Sequence, residues 1–243
     1  MRCSAERLIE AIIATEVMQM QRRAAEEKAR RLEKSEVYVV TISRDFGSLG
    51  KEVAQLLADT LEVRCCDRSI LQQVARRAHV DEQLVSALDE HVSSIKDHWW
   101  QQLMHKDTFS YEDYYRYLVK TILSISRSGG VIVGRGANHI LGEAKAFRVR
   151  ICGSQAQCAR RIAEREQITL QESIERFRLV NQERAEYIKM LYQEDINDND
   201  NYDLVLNSDH HDIVQLTEMI LDAMEHAGHE LPADARSSLR KMH

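Results

Sequence analysis

The chain has 243 residues, 44% of them hydrophobic, with a formal net charge of −6 and a pI near 5.9. That length and apolar content build one substantial core, or one domain with an appendage. The acidic balance excludes a general electrostatic hold on nucleic acid or on an anionic membrane, so any basic site must be local.

Residues 4–34 contain neither Gly nor Pro, and Ile9, Ile13, Val17, Met20 and Ala24 recur at helical spacing, which predicts a long amphipathic helix. Its apolar side is expected to pack on the main domain, on a second copy in a homodimer, or on a partner protein. The run "LIEAIIATEVM" is interrupted by Glu10 and Glu16, short of the roughly 20 apolar residues a membrane span requires. "EVYVVTI" then reads as a buried strand, and the stretch after Gly50 as a helix with Val53, Ala54, Leu56, Leu57 and Leu61 inward. "EVRCCD" is a second, short strand. Residues 68–128 read as mainly helical until Gly129 and Gly130 stop them. "VIVG", "FRVRIC" and "YDLVLN" supply further strands, separated by helices rich in Arg and Glu, and "DIVQLTEMILDAMEH" closes the domain. Strands alternating with helices imply a largely parallel sheet covered on both faces. The expected division is an extension over 1–35, a domain over 36–228 and a tail over 229–243 that frays after Gly228. The five cysteines, at 3, 65, 66, 152 and 158, have neither disulfide-framework nor CxxC spacing and read as reduced packing residues of a cytoplasmic protein.

The informative stretch is "TISRDFGSLGKEVAQLL", residues 41–57. A phosphate loop of the usual form has Gly five places before the Gly-Lys pair and Ser or Thr after it, where this chain has Asp45 and Glu52. The physics that survives is a backbone curled by Gly47 and Gly50, with Lys51 at the positive end of the next helix. Read from the residues alone, the segment is either an anion-binding loop or a plain turn between strand and helix.

"SRDFGSLGKE", "VIVGRGANHIL", "AFRVRICGSQAQCARRIAERE" and "RFRLVNQERAEYIKMLYQEDINDNDNYDLVLNSD" together resemble the cytidylate kinase-like family of P-loop nucleoside monophosphate kinases, from about Val37 to Met224. Relatives usually carry another Gly near Leu49. The resemblance implies a P-loop NTPase-type three-layer αβα fold with a helical acceptor-binding insert and a lid, ATP and Mg2+ as donor, and a nucleoside monophosphate, CMP or dCMP first, as acceptor. Gly47, Ser48, Leu49, Gly50, Lys51 and Glu52 would form the ATP-binding loop, and Ser48 or Ser43 would position Mg2+. Asp67 would orient Mg2+-bound water or the acceptor; its bland reading is a helix cap at Arg68. Arg135 resembles the arginine of a "GRD" motif that grips the acceptor phosphate, while Gly136 replaces the aspartate associated with cytosine recognition. "ARRIAER" resembles the lid helix, with Arg160, Arg161 and Arg165 reaching the phosphates and Gln157 where relatives often have arginine. Arg178, Asn181 and Arg184 resemble an Arg, Asp, Arg set on the acceptor side. Each lid arginine has the bland alternative of pairing with Glu164, Glu166 or Glu183 on a solvated helix face. Lys51, Arg135 and Arg161 are the expected catalytic groups, because phosphoryl transfer needs charge neutralisation and alignment above acid–base help. Trp99, Trp100 or Tyr115, in the insert, would stack on a base or form the insert's own core. His210 and His211, beside Asp209 and Asp212, read as helix capping and not as a metal site. Two other functions fit the same residues: a nucleotide-binding sensor or interaction module, and a P-loop kinase with a non-nucleotide acceptor.

Overall fold

The computed structural model describes residues 37–67, 69–79 and 111–232, together with positions 82, 235 and 239. The expected helix over 4–34, the aromatic pair Trp99 and Trp100, and Arg68 lie outside the described residues.

Five parallel strands form one sheet in the order β2-β3-β1-β4-β5. They are β1 (Val39–Arg44), β2 (Cys65–Cys66), β3 (Gly130–Val133), β4 (Phe147–Cys152) and β5 (Leu204–Asn207). The helices between them are α1 (Gly50–Thr60), α2 (Ser69–Ala78), α3 (Tyr111–Ser128), α4 (Ala137–Leu141), α5 (Gln155–Glu166), α6 (Leu170–Tyr192) and α7 (Ile213–His226). Pairings such as Ile42 with Val133 and with Val149 put β1 at the centre. The chain moves outward through β3 and β2 on one side and through β4 and β5 on the other. The carboxyl ends of the strands therefore converge on one edge, where open α/β sheets bind ligands.

Strand alternation sorts the sheet into two cores. Val40, Ile42, Val131, Val133, Val149 and Ile151 face α1 and α7, whose Val53, Leu57, Leu216 and Ile220 are buried against them. Val39, Cys66 and Ile132 face the other way, toward Ile70 and Val74 of α2 and Tyr114, Leu118 and Ile122 of α3. The result is the three-layer αβα arrangement. At the sheet's end, β5 is covered on one side only: Leu204 and Leu206 are half-buried, whereas Val205 is 41% exposed.

The expectation of a fraying tail needs correction. Ala235 and Leu239 are buried, and Leu239 joins the core of α1 and α7, so these two residues do not fray. The α5–α6 hairpin is the opposite case. Helix α6 runs for 23 residues behind a Thr169–Glu172 capping box, yet only Ser173 and Ile188 are buried. At the start of α7, Asp212 accepts from the Gln215 amide, which is the capping role read for that run.

Candidate active site

The loop joining β1 to α1 spans residues 45–49. Asp45, in the place of the usual first glycine, has a structural task. Its Oδ1 lies 2.6 Å from Nη2 of Arg150, and its Oδ2 accepts from the Gly153 amide at 3.3 Å. Arg150 is almost fully buried, so a glycine at 45 would strand its charge. The carboxylate thus staples the base of the loop to the end of β4.

Beyond Asp45 the loop amides divide in two. Phe46 N–H donates to Asn181 Oδ1 of α6 at 2.8 Å, and Ser48 N–H donates to the Asp45 carbonyl at 3.5 Å. The amides of Gly47, Leu49, Gly50, Lys51 and Glu52 donate to no acceptor among the described residues, and no side chain caps α1. The first turn of any helix leaves amides open; here the open row extends back into the loop, adding to the positive end of the helix dipole. Lys51 is exposed and makes no ion pair among the described residues. These groups fit the polyphosphate of a nucleoside triphosphate.

The expectation that Ser48 positions Mg2+ is corrected: its side chain is fully buried, and Oγ donates to the carbonyls of Asp45 and Ile151, each at 3.0 Å. Ser43 is also engaged, accepting from the Tyr202 hydroxyl at 3.3 Å and from Arg150 Nη1 at 3.5 Å. Leu49 occupies the left-handed region with φ +64°. A side chain there costs on the order of 1 kcal/mol. Leu49 also packs part of its side chain against the core of α1 and α7, so Leu49→Gly, which loses that contact and adds freedom to the unfolded chain, is expected to lower the midpoint of thermal unfolding by a few degrees, as read by calorimetry.

Arg44, the last residue of β1, is a site residue that sequence reasoning missed. A Cβ on Gly50 would come within 2.5 Å of its Cβ, and one on Gly134 within 2.3 Å of its Nη1. Two glycines therefore open the path along which this arginine crosses to Asp67, whose Oδ1 lies 3.8 Å from Arg44 Nη2 and 3.5 Å from Arg135 Nη1. The usable signal was a charged residue closing a strand of otherwise buried side chains. Arg135 itself has φ +54°, and its Nη1 also reaches the Asp67 carbonyl at 3.5 Å. Asp67, Arg44 and Arg135 form one charged group at the ends of β2, β1 and β3.

The lid arginines separate by partner. Arg184 Nη1 donates to the Arg44 carbonyl at 3.0 Å, and its guanidinium lies 5.9 Å from the Phe46 ring centroid, with Arg165 at 5.3 Å from the same ring. Burial, and then the nearby Arg44 guanidinium, push the pKa of Arg184 down to about 9. It remains charged at neutral pH, and an anion beside it would relieve the repulsion. Arg161, expected among the phosphate ligands, is held by partners within the protein. Its Nη1 donates to Ser208 Oγ at 3.0 Å and to the Gly47 carbonyl at 3.4 Å, while Nη2 donates to the Ser208 carbonyl at 2.6 Å. It ties the loop to the end of β5. Arg160 is exposed, Arg178 Nε donates to Gln155 Oε1 at 3.0 Å, and Glu166 pairs with Arg165 and Arg176.

Gly136 has φ +65°, and a Cβ there would lie 2.1 Å from a ring carbon of Tyr192. The Tyr192 hydroxyl donates to the Arg135 carbonyl at 2.8 Å, its ring stacks on His139 at 4.9 Å, and Tyr115 meets it edge-on at 6.1 Å. The space a side chain at 136 would need is thus filled by an aromatic ring from the end of α6. Sequence reasoning singled out Gly136 and missed Tyr192, which lies 56 positions further along the chain.

A family model described as the cytidylate kinase-like family matches residues 39–210, more than half of the chain. The chain belongs to the cytidylate kinase-like family. Among solved structures, the fold is shared with an uncharacterized protein from Eubacterium ventriosum, at a TM-score of 0.58 and 20% identity over 77% of this chain and 98% of that one. A shikimate kinase from Bacteroides thetaiotaomicron is similar at a TM-score of 0.46 and 14% identity, covering 78% of this chain and 98% of its own. A gluconokinase from Sinorhizobium meliloti is similar at 0.45 and 11%, covering 86% and 100%. No curated protein matches the chain significantly. The membership agrees with the parallel αβα sheet and with a strand-to-helix loop in which Asp45 is built into the structure.

Proposed function

We propose that the protein transfers the terminal phosphoryl group of ATP to a nucleoside monophosphate, with CMP and dCMP as first acceptors. One observation carries this reading: five amides of the loop and the first turn of α1 without an acceptor among the described residues, together with the exposed Lys51 side chain, on the same sheet edge as Asp67, Arg44, Arg135 and Arg184. An oxygen of the acceptor phosphate bonds to the γ-phosphorus as the bridging β–γ bond breaks and ADP departs. The loop amides and Lys51 hold the donor phosphates, and Arg160 meets them from the lid. Arg135, Arg178 and Arg184 neutralise and align the acceptor, with Asn181 supplying a neutral hydrogen bond. Asp67 would orient water bound to Mg2+, which supplies charge neutralisation between donor phosphates.

A coupled ADP-release assay with every common ribo- and deoxyribonucleoside monophosphate tests the reading. Turnover with one or more acceptors is expected, and none with the whole panel rejects nucleotide kinase activity. A second reading, a nucleotide-binding module with weak or no catalysis, is favoured by Asn181 holding the Phe46 amide and Tyr192 filling the space beside Gly136. Calorimetric ATP binding without turnover on any acceptor selects it. Turnover with a non-nucleotide hydroxyl compound and with no nucleotide selects the third reading, a P-loop kinase of different acceptor.

A further inference from the structure

Helix α6 meets the site along a single stripe. Asn181, Arg184, Ile188 and Tyr192 follow one another at spacings of three, four and four residues, which puts them on one side of the helix. Three of them hold main-chain atoms, and Ile188 between them is buried. Asn181 Oδ1 accepts from the Phe46 amide at 2.8 Å, Arg184 Nη1 donates to the Arg44 carbonyl at 3.0 Å, and the Tyr192 hydroxyl donates to the Arg135 carbonyl at 2.8 Å. One helix thus grips the phosphate loop, the end of β1 and the turn after β3, with about 16 Å of its axis between the first grip and the last.

The third grip falls where the backbone needs one. Gly134, Arg135 and Gly136 are three successive left-handed residues, with φ of +77°, +54° and +65°. Arginine disfavours this conformation, and such backbones persist only where their surroundings hold them. The contacts of the Arg135 guanidinium with Asp67 are long, 3.5 Å both to Oδ1 and to the carbonyl oxygen. The Tyr192 bond is shorter, and it acts on the backbone from which the side chain springs. The Tyr192 ring is itself fixed, stacked on His139 and met edge-on by Tyr115, so its hydroxyl has a defined aim.

We infer that Tyr192 is a positioning residue: by holding the Arg135 carbonyl it directs the guanidinium into the site, and α6 keeps that arginine in register with the phosphate loop. Phosphoryl transfer depends on such alignment, since a displacement of about 1 Å costs on the order of 100-fold in rate. The kinetic consequence rests on the nucleotide kinase reading above, whereas the hold on Arg135 does not.

The test compares Tyr192→Phe with Tyr187→Phe in the full chain. Each removes one hydroxyl from α6 and keeps the ring, but that of Tyr187 meets the Tyr114 hydroxyl, at 3.1 Å, instead of Arg135. With saturating ATP and the best monophosphate of the panel, Tyr192→Phe is expected to lower kcat roughly tenfold, to leave the KM for ATP unchanged and to add nothing in an Arg135→Ala background. Tyr187→Phe keeps the parent kcat. In the ligand-free 15N-labelled protein, the Nε–H resonance of Arg135 shifts or broadens in Tyr192→Phe and stays in place in Tyr187→Phe. The proposal is overturned by an unmoved Arg135 resonance, by an unchanged kcat, by an equal response in Tyr187→Phe, or by a loss of rate that persists undiminished in Arg135→Ala. Failure of Tyr192→Phe to fold makes the hydroxyl structural and overturns it too. If no acceptor of the panel is turned over, the kinase reading falls, and the Arg135 resonance alone decides the positioning.

Discussion

Lys51→Ala and Arg135→Ala are each expected to lower ADP-forming turnover by roughly 10²- to 10³-fold, the usual effect of removing one charge-stabilising group from a transition state. They differ in how they do so. Lys51 is exposed and has no ion-pair partner among the described residues, so its removal leaves thermal stability unchanged and isolates the chemical loss. Arg135 shares Asp67 with Arg44, and its loss leaves the carboxylate with the more distant partner at 3.8 Å. A modest fall in melting temperature therefore accompanies the loss of rate. Steady-state kinetics separate the two residues further: a donor-side lysine changes the apparent affinity for ATP, an acceptor-side arginine that for the monophosphate. Equal effects of both variants on ATP alone would place Arg135 on the donor side.

Gly136→Asp, which installs the aspartate of the family resemblance, is expected to destabilise the protein by about 3 kcal/mol, and not to improve CMP as an acceptor. The left-handed backbone is tolerable for aspartate, but the new Cβ would lie 2.1 Å from the Tyr192 ring. The ring must then leave, and with it go the hydrogen bond to Arg135 and the stack on His139. Gly136→Asp combined with Tyr192→Ala is expected to recover a large part of the stability lost in the single variant, a coupling that chemical denaturation measures. If the two substitutions are additive, Tyr192 does not govern this position.

What the sequence made legible follows the reach of each signal. Buried strands such as "VYVVTI" and "FRVRIC", the glycine turn and the alternation of strands with helices are local patterns, and they lead directly to the parallel αβα sheet. The position of Arg135 is also local, since it follows the end of a strand. The partners of Asp45 were not legible. Arg150 and Gly153 meet it only because β4 lies beside β1, a pairing across more than 100 residues. Arg161 reads in one dimension like any lid arginine, and only the fold sets it against Ser208 and the Gly47 carbonyl. Tyr192 carries no motif. The buried tail residues Ala235 and Leu239 were missed because two apolar side chains in a polar segment carry little periodicity.

If the open amides of Gly47, Leu49, Gly50, Lys51 and Glu52 grip the phosphates of a nucleoside triphosphate, a titration of 15N-labelled protein with MgATP produces saturable shifts of the amide resonances of Gly47, Leu49, Gly50 and Lys51, abolished in Lys51→Ala at the same ATP concentration. Resonances of this loop that stay fixed while MgATP binds elsewhere, or no binding at all, would contradict it.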